Sequence, residues 1–277
     1  AAAVAVLAAV ATLALPQDGG LGRSPYDYQA AWRTAEAARA AGDLAEADVR
    51  YAIAGDLWPA HPGLQGAVGL YHWTRYAETA DRAHLERSSK AFRRLFEQRP
   101  ADVRDVMSFL SSGTPAEREA LLPALPEAWG AWAGWLAERG FTAQAQAAFE
   151  RGAGTSTAAH DRYAASLEAI GQWGLEAAVR DRRLRLASDP AAHAAAARAW
   201  LRLGVHEKAM EQARYASRTD PASPSHRALK AEILLAQGRL EDALAAMGEA
   251  LSLAPRDPAL LRRRAEIQAR RADPRPR

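Results

Sequence analysis

The sequence predicts an all-α fold built from antiparallel helix pairs, and three observations carry that reading. Alanine supplies 69 of the 277 residues, whereas isoleucine and valine together supply 13, three of those valines within the first ten positions. A sheet needs β-branched side chains to fill its pleated faces, while helices pack closely through small ones. From Tyr26 onward, apolar and alanine positions recur at three and four residues, the spacing of a single helix face. Finally, one turn sequence returns at a fixed distance. Gly204-Val-His-Glu-Lys-Ala209 and Gly238-Arg-Leu-Glu-Asp-Ala243 lie 34 residues apart, as do Pro221 and Pro255.

The elements follow in order. Residues 1–15 contain one polar residue, Thr12, and no charge. The run is shorter than the roughly 20 residues that cross a bilayer and lacks the basic start of an intact export signal. It is expected to be a membrane-anchor remnant or a signal core, with an ordinary helix packed on the body as the plainer alternative. Residues 16–25 open with Pro16-Gln17-Asp18-Gly19-Gly20 and read as a linker. Residues 26–255 form the repeat body, punctuated at Gly42, Pro59, Pro100, Gly140, Gly171, Pro190, Gly204, Pro221, Gly238 and Pro255. Glycine ends a helix by taking a left-handed conformation, and proline stands where a helix can start but not continue. Residues 256–277 form a basic C-terminal helix and tail, with eight arginines against three acids, a net of +5. The whole chain is +3, so the other 255 residues carry −2. A nucleic-acid partner, which needs a basic stripe on a folded face, is therefore not expected.

Within the body the pairs are Tyr28–His61, Pro190–Ser223 and Pro224–Asp257, with a fourth from Pro126 to about Thr157. Two are irregular. Pro62–Pro100 is stretched and lacks the turn glycine, and His160–Asp189 has Trp173-Gly174 placed where the turn belongs. Asp102–Pro123 fits no pair. It reads as a helix over Asp102–Ser111 and a short one after Thr114-Pro115, where Thr114 caps and Glu117 answers it.

The 34-residue period resembles the tetratricopeptide repeat (TPR), a unit of two antiparallel helices, A and B. Trp129-x2-Trp132-Ala133-x2-Leu136 is similar to the family's helix A pattern. Ala145-x3-Phe149 after Gly140, and Ala47-x3-Tyr51 after Gly42, are similar to its helix B pattern. The resemblance covers about three-quarters of the chain. It implies a right-handed superhelical solenoid, since one unit cannot bury its own apolar stripe and neighbours must stack.

No catalytic machinery is legible. The seven histidines, His61, His72, His84, His160, His193, His206 and His226, form no H-E-x-x-H and no i, i+4 pair, so neither a metal site nor a catalytic base is expected. Gly19 to Gly22 has no following Lys-Ser/Thr, which removes a phosphate loop and with it a cofactor of that kind. Trp129, Trp132 and Trp135 share one helix face; a sugar-stacking platform is conceivable there, and core packing is the stronger reading.

The resemblance implies a concave face lined by helix A residues. In this chain they are Trp32, Glu36, Arg39, Leu70, Trp73, Arg198, Leu201, Arg202, Glu232 and Leu235. The family's carboxylate clamp would need Lys and Asn where Ala194, Arg198, Ala228 and Glu232 stand, so a clamp is not expected. The leading expectation is a non-enzymatic scaffold that binds a protein or peptide segment in that groove. Residues 1–15 would contact a membrane, and the location would be membrane-associated or periplasmic, a cytoplasmic one being the alternative. A second expectation, from another class, is the soluble tail of a bacterial membrane enzyme of the O-antigen ligase or polymerase type.

Overall fold

The computed structural model describes residues 27–110 and 112–272, and the expectations for residues 1–15 and 16–25 lie outside them. Among the described residues there are fifteen α-helices and no strand. They are α1 (Tyr28–Ala41), α2 (Leu44–Leu57), α3 (Pro62–Thr79), α4 (Arg82–Gln98), α5 (Val103–Phe109), α6 (Pro115–Glu119), α7 (Pro126–Glu138), α8 (Thr142–Gly152), α9 (Thr157–Ala169), α10 (Trp173–Leu186), α11 (Pro190–Arg202), α12 (His206–Thr219), α13 (Pro224–Ala236), α14 (Leu240–Leu253) and α15 (Pro258–Ala272). A short 3-10 turn, Pro100–Asp102, precedes α5. Sequence neighbours pack as pairs: α1 with α2, α3 with α4, α9 with α10, α11 with α12, and α13 with α14. The protein is a helical repeat protein.

The chain divides into two compact units. Among the described residues, unit 1 runs to 135 and takes in 143–153, and unit 2 holds 136–142 and 154–272. In unit 1 the core runs through Trp32, Tyr51, Leu64, Val68 and Tyr71, with Ala35, Ala47, Ala54 and Ala67 between them. In unit 2 alanines are the commonest core residue, joined by Leu229, Ile233, Leu234, Met247 and Leu251. Small side chains at these crossings let helix axes approach, which is how a chain with so few β-branched residues still closes a core. The last helix, α15, belongs to that core through Leu260 and Ile267.

The turns follow the glycine punctuation. Gly204 and Gly238 have φ of 78° and 77°, and each closes its helix by the same double bond. Val205 N–H reaches the Trp200 carbonyl and Gly204 N–H that of Leu201; Arg239 and Gly238 repeat this on Leu234 and Leu235. Gly42, Gly140 and Gly171 sit at the same place in their pairs. The pair α9–α10 is therefore regular. The turn is Gly171-Gln172, and Trp173 opens α10 instead of interrupting the turn as its sequence suggested. Aligning the glycines exposes a substitution. Ala47, Ala145, Ala209 and Ala243 each stand five residues after the turn glycine and are fully buried, and the residue at that place in α10 is Glu176, also fully buried. The pair α3–α4 lacks the glycine, and Ala80 takes the left-handed conformation at φ 56° in its stead. The capping box of Thr114 and Glu117 is present and starts α6.

Candidate functional site

The ten residues expected on a partner-binding face divide by unit. In unit 1, α1 carries Trp32, Glu36 and Arg39 at positions i, i+4 and i+7. Trp32 is only 6% exposed and meets the Tyr51 ring edge-on, centroids 5.2 Å apart. Glu36 accepts a hydrogen bond from Arg39 at 2.7 Å and another from the Tyr51 hydroxyl. Burial, with Glu36 next, pushes the Tyr51 hydroxyl well above the usual tyrosine range, so it stays a donor. These charges are used inside the unit. On α3, Leu70 is half-buried and Trp73 is 3% exposed. The stretch before α6 lies across the Trp73 ring, where a Cβ on Gly113 would come within 2.6 Å of it. The neighbouring Tyr76 hydroxyl donates to Glu117 of α6. The chain's own insert thus covers this part of α3. Trp32 and Trp73 are core residues here and not partner-facing ones.

In unit 2, Leu235 is buried in the core at 6% exposure and Leu201 is half-buried. Arg202 is engaged within the unit. It donates to Glu176 at 2.7 Å, pairs with Glu168 at 2.9 Å, and stacks 5.3 Å above the Trp173 ring. Arg180 donates to the same Glu176 oxygen at 3.1 Å. The other Glu176 oxygen is buried without a hydrogen bond, so the alanine position of α10 holds a carboxylate satisfied on one side only. Arg198 is exposed and Glu232 half-buried, and neither has a hydrogen-bond or ion-pair partner among the described residues. Ala194 and Ala228 are buried, at 2% and 7%, and present nothing to a ligand.

The tryptophans of α7 serve the core of unit 1. Trp132 is fully buried and Trp135 nearly so, stacked 4.9 Å apart. Their indole N–H groups donate to Glu119 and Ser108, and that of Trp129 donates to the Pro123 carbonyl. Trp129 lies so close to Gly152 that any Cβ there would fall within 2.0 Å of the ring. With Trp132 and Trp135 buried and all three indole donors taken, the three rings do not form an open stacking platform.

The histidines were set aside on sequence, and the structure brings two of them together. His72 of α3 and His84 of α4 face each other with Nδ1 atoms 3.2 Å apart, at 0% and 4% exposure. Asp48 of α2 stands beyond, its Oδ2 3.6 Å from His84 Nε2. Burial, reinforced by the charge of His84 and Arg87, lowers His72 to about 4, so its ring is neutral at physiological pH. Sequence could not signal this cluster, because residues 24 and 12 apart share no motif and meet only when three helices pack. Two other histidines serve locally: His61 Nδ1 caps α3 by accepting from Leu64 N–H at 3.0 Å, and His193 sits between Ser188 and Gln212.

No protein-family model matches the chain, and no curated protein matches it. Among solved structures it is similar to MamA from Desulfovibrio magneticus, with 16% identity over 53% of this chain and 86% of that one, at a TM-score of 0.43. It is also similar to a thermophilic TPR protein of Thermus thermophilus, with 18% identity over 87% of this chain and 99% of that one, at 0.35. A tetratricopeptide repeat protein from Parabacteroides merdae is 14% identical over 96% of this chain and 92% of that one, at 0.40.

Proposed function

We propose that this helical repeat protein is a non-catalytic scaffold that binds a protein or peptide segment on the exposed face of α11 and α13. The observation that supports the reading is the pair Arg198 and Glu232. They are 34 residues apart, hence at the same place in successive repeats, on helices that pack together. Both lack a partner among the described residues, unlike Arg39, Glu36 and Arg202. Leu201 lies one turn beyond Arg198, half-buried. An arginine and a carboxylate beside a leucine suit a helix or extended segment that carries the opposite charges around an apolar anchor. Arginine is also among the residue types that dominate interface energies. Tethering to a membrane or export to the periplasm is a companion proposal, and it rests on the composition of residues 1–15 alone.

The test is capture from a lysate of the native source by the parent, Arg198→Glu and Glu232→Arg. Both side chains reach solvent, so thermal midpoints should stay within about 2 °C, the size of a surface change. A partner held by the parent should be lost from each variant, a weakening of about tenfold or more. Equal recovery by all three proteins would move the site off this face.

A further inference from the structure

We infer that Asp48, His72 and His84 form a binding site in unit 1 for one divalent transition-metal ion of the zinc class. The donor set is right in kind, since imidazole nitrogens with a carboxylate oxygen suit zinc, cobalt and nickel. It is also close in geometry. Zinc held at its usual distances to nitrogen in a tetrahedral site sets neighbouring ligand atoms about 3.3 Å apart. The facing Nδ1 atoms of His72 and His84 are 3.2 Å apart. One ligand atom from each of the three residues lies within 4.8 Å of the others. Asp48 Oδ2 stands 3.6 Å from the other His84 nitrogen, Nε2, so closing the set on the two Nδ1 atoms requires the Asp48 side chain to swing toward them by about 1.5 Å.

The surroundings orient these ligands. Tyr71 donates to Asp48 Oδ1 at 2.7 Å and Arg75 Nε stands 3.6 Å from the same oxygen. That leaves Oδ2 turned toward His84. A hydroxyl that keeps its hydrogen bond to a carboxylate as the carboxylate moves onto an ion is a regular outer partner in metal sites. The three ligands come from three helices, so the packing of α3 on α2 and α4 sets their separation before any ion arrives. The imidazoles are buried, while the Asp48 side chain is 18% exposed. That side admits the ion and the solvent ligand that completes four-coordination. Two guanidinium groups oppose a dication here. Arg75 is answered by Glu78 at 3.1 Å, and Arg87 faces His72 from the exposed side of α4. Affinity should therefore fall below that of closed cysteine-rich zinc sites.

The experiment titrates the untagged full chain with zinc chloride by calorimetry and with cobalt chloride by visible absorption. His72→Gln, His84→Gln, Asp48→Asn and the control His226→Gln are run beside it. Expected for the parent are uptake of one equivalent, a raised thermal midpoint, and cobalt bands of tetrahedral intensity. Each histidine variant should bind at least about tenfold more weakly, Asp48→Asn should also weaken, and His226→Gln should match the parent. No saturable uptake by the parent would overturn the assignment, as would parental affinity in both histidine variants. Unchanged affinity in Asp48→Asn would remove the carboxylate from the set. If a histidine variant loses its helical circular dichroism, the histidine ring resonances of the parent decide. Movement of the His72 and His84 signals with zinc supports the site, and signals that stay fixed while others move overturn it.

Discussion

At the residue scale, the left-handed turn positions separate torsional cost from steric cost. No atom lies within 4 Å of a Cβ built on Gly204 or Gly238, so a side chain there meets open space and only the backbone resists. Gly238→Val should lower the thermal midpoint, because a β-branched residue at positive φ is strained by about 1–3 kcal/mol. Gly238→Asn should cost far less. If the two melt together, the strain is not torsional. The reverse change belongs at Ala80, a non-glycine residue at φ 56°. Ala80→Gly should stabilise by about 1 kcal/mol, and an unchanged or lower midpoint would count against the left-handed turn. Glu176 offers the third case. Four of its equivalents are alanine, one of its oxygens is unpaired, and Arg180 and Arg202 both keep Glu168 as a partner. Glu176→Ala should therefore be neutral or stabilising, as replacement of buried ion pairs often is. A loss of more than about 3 kcal/mol would mean that the two arginines depend on it. The sequence displayed the glycines plainly. It hid Glu176, because Trp173-Gly174 drew the turn two residues too late and shifted the apparent register.

At the element scale, caps decide where helices begin. Asp189 ends the α10–α11 connection by accepting from Ala192 N–H at 2.8 Å and pairing with Arg183. Burial alone would raise its carboxyl, but the backbone donors and Arg183 outweigh it and hold the group below the usual aspartate range. A depressed carboxyl contributes stability that is complete above the ordinary value near 4 and is lost as pH falls through the folded value. Asp189→Ala should cost about 1 kcal/mol at pH 7. That difference should shrink as melts are repeated at lower pH, from about pH 4 downward. A difference that stays constant to pH 2 would show that Asp189 acts through packing. Other helix boundaries were readable for the same reason. Pro62, Pro126, Pro190, Pro224 and Pro258 each open a helix, where a missing N–H costs nothing. The insert between α4 and α7 was legible as two short helices but not as a cover, because nothing in its own pattern says that it lies over Trp73.

At the scale of the whole molecule, charge and closure meet in α15. Its arginines make the chain basic, yet Leu260 is only 9% exposed and Ile267 is fully buried in the core of unit 2, and Arg271 pairs with Glu241 of α14 at 2.7 Å. A helix stacked on a repeat array buries the apolar face of the repeat before it. Ile267→Asp should destabilise by about 3 kcal/mol or more through an unpaired buried charge. Arg262→Glu, on the exposed side, should change the midpoint by less than about 0.5 kcal/mol. If both variants melt alike, α15 is not part of the core.

The amino-acid sequence by itself determined the helical class, the 34-residue period, the turn glycines and the proline starts. Each of these is a local property, set by backbone torsion or by the spacing of one helix face. Arg198 and Glu232 stand exposed or half-exposed on their own helices, and whether they meet a partner is the proposal above. Only the tertiary structure decided which large side chains were free. Trp32 and Trp73 occupy face positions on their helices, but burial depends on what arrives from elsewhere: Tyr51 on one and the stretch before α6 on the other. It decided too that Arg202 is spent on Glu168 and Glu176, and that Asp48, His72 and His84 converge. Those outcomes depend on distances between helices, and a one-dimensional pattern holds no record of them.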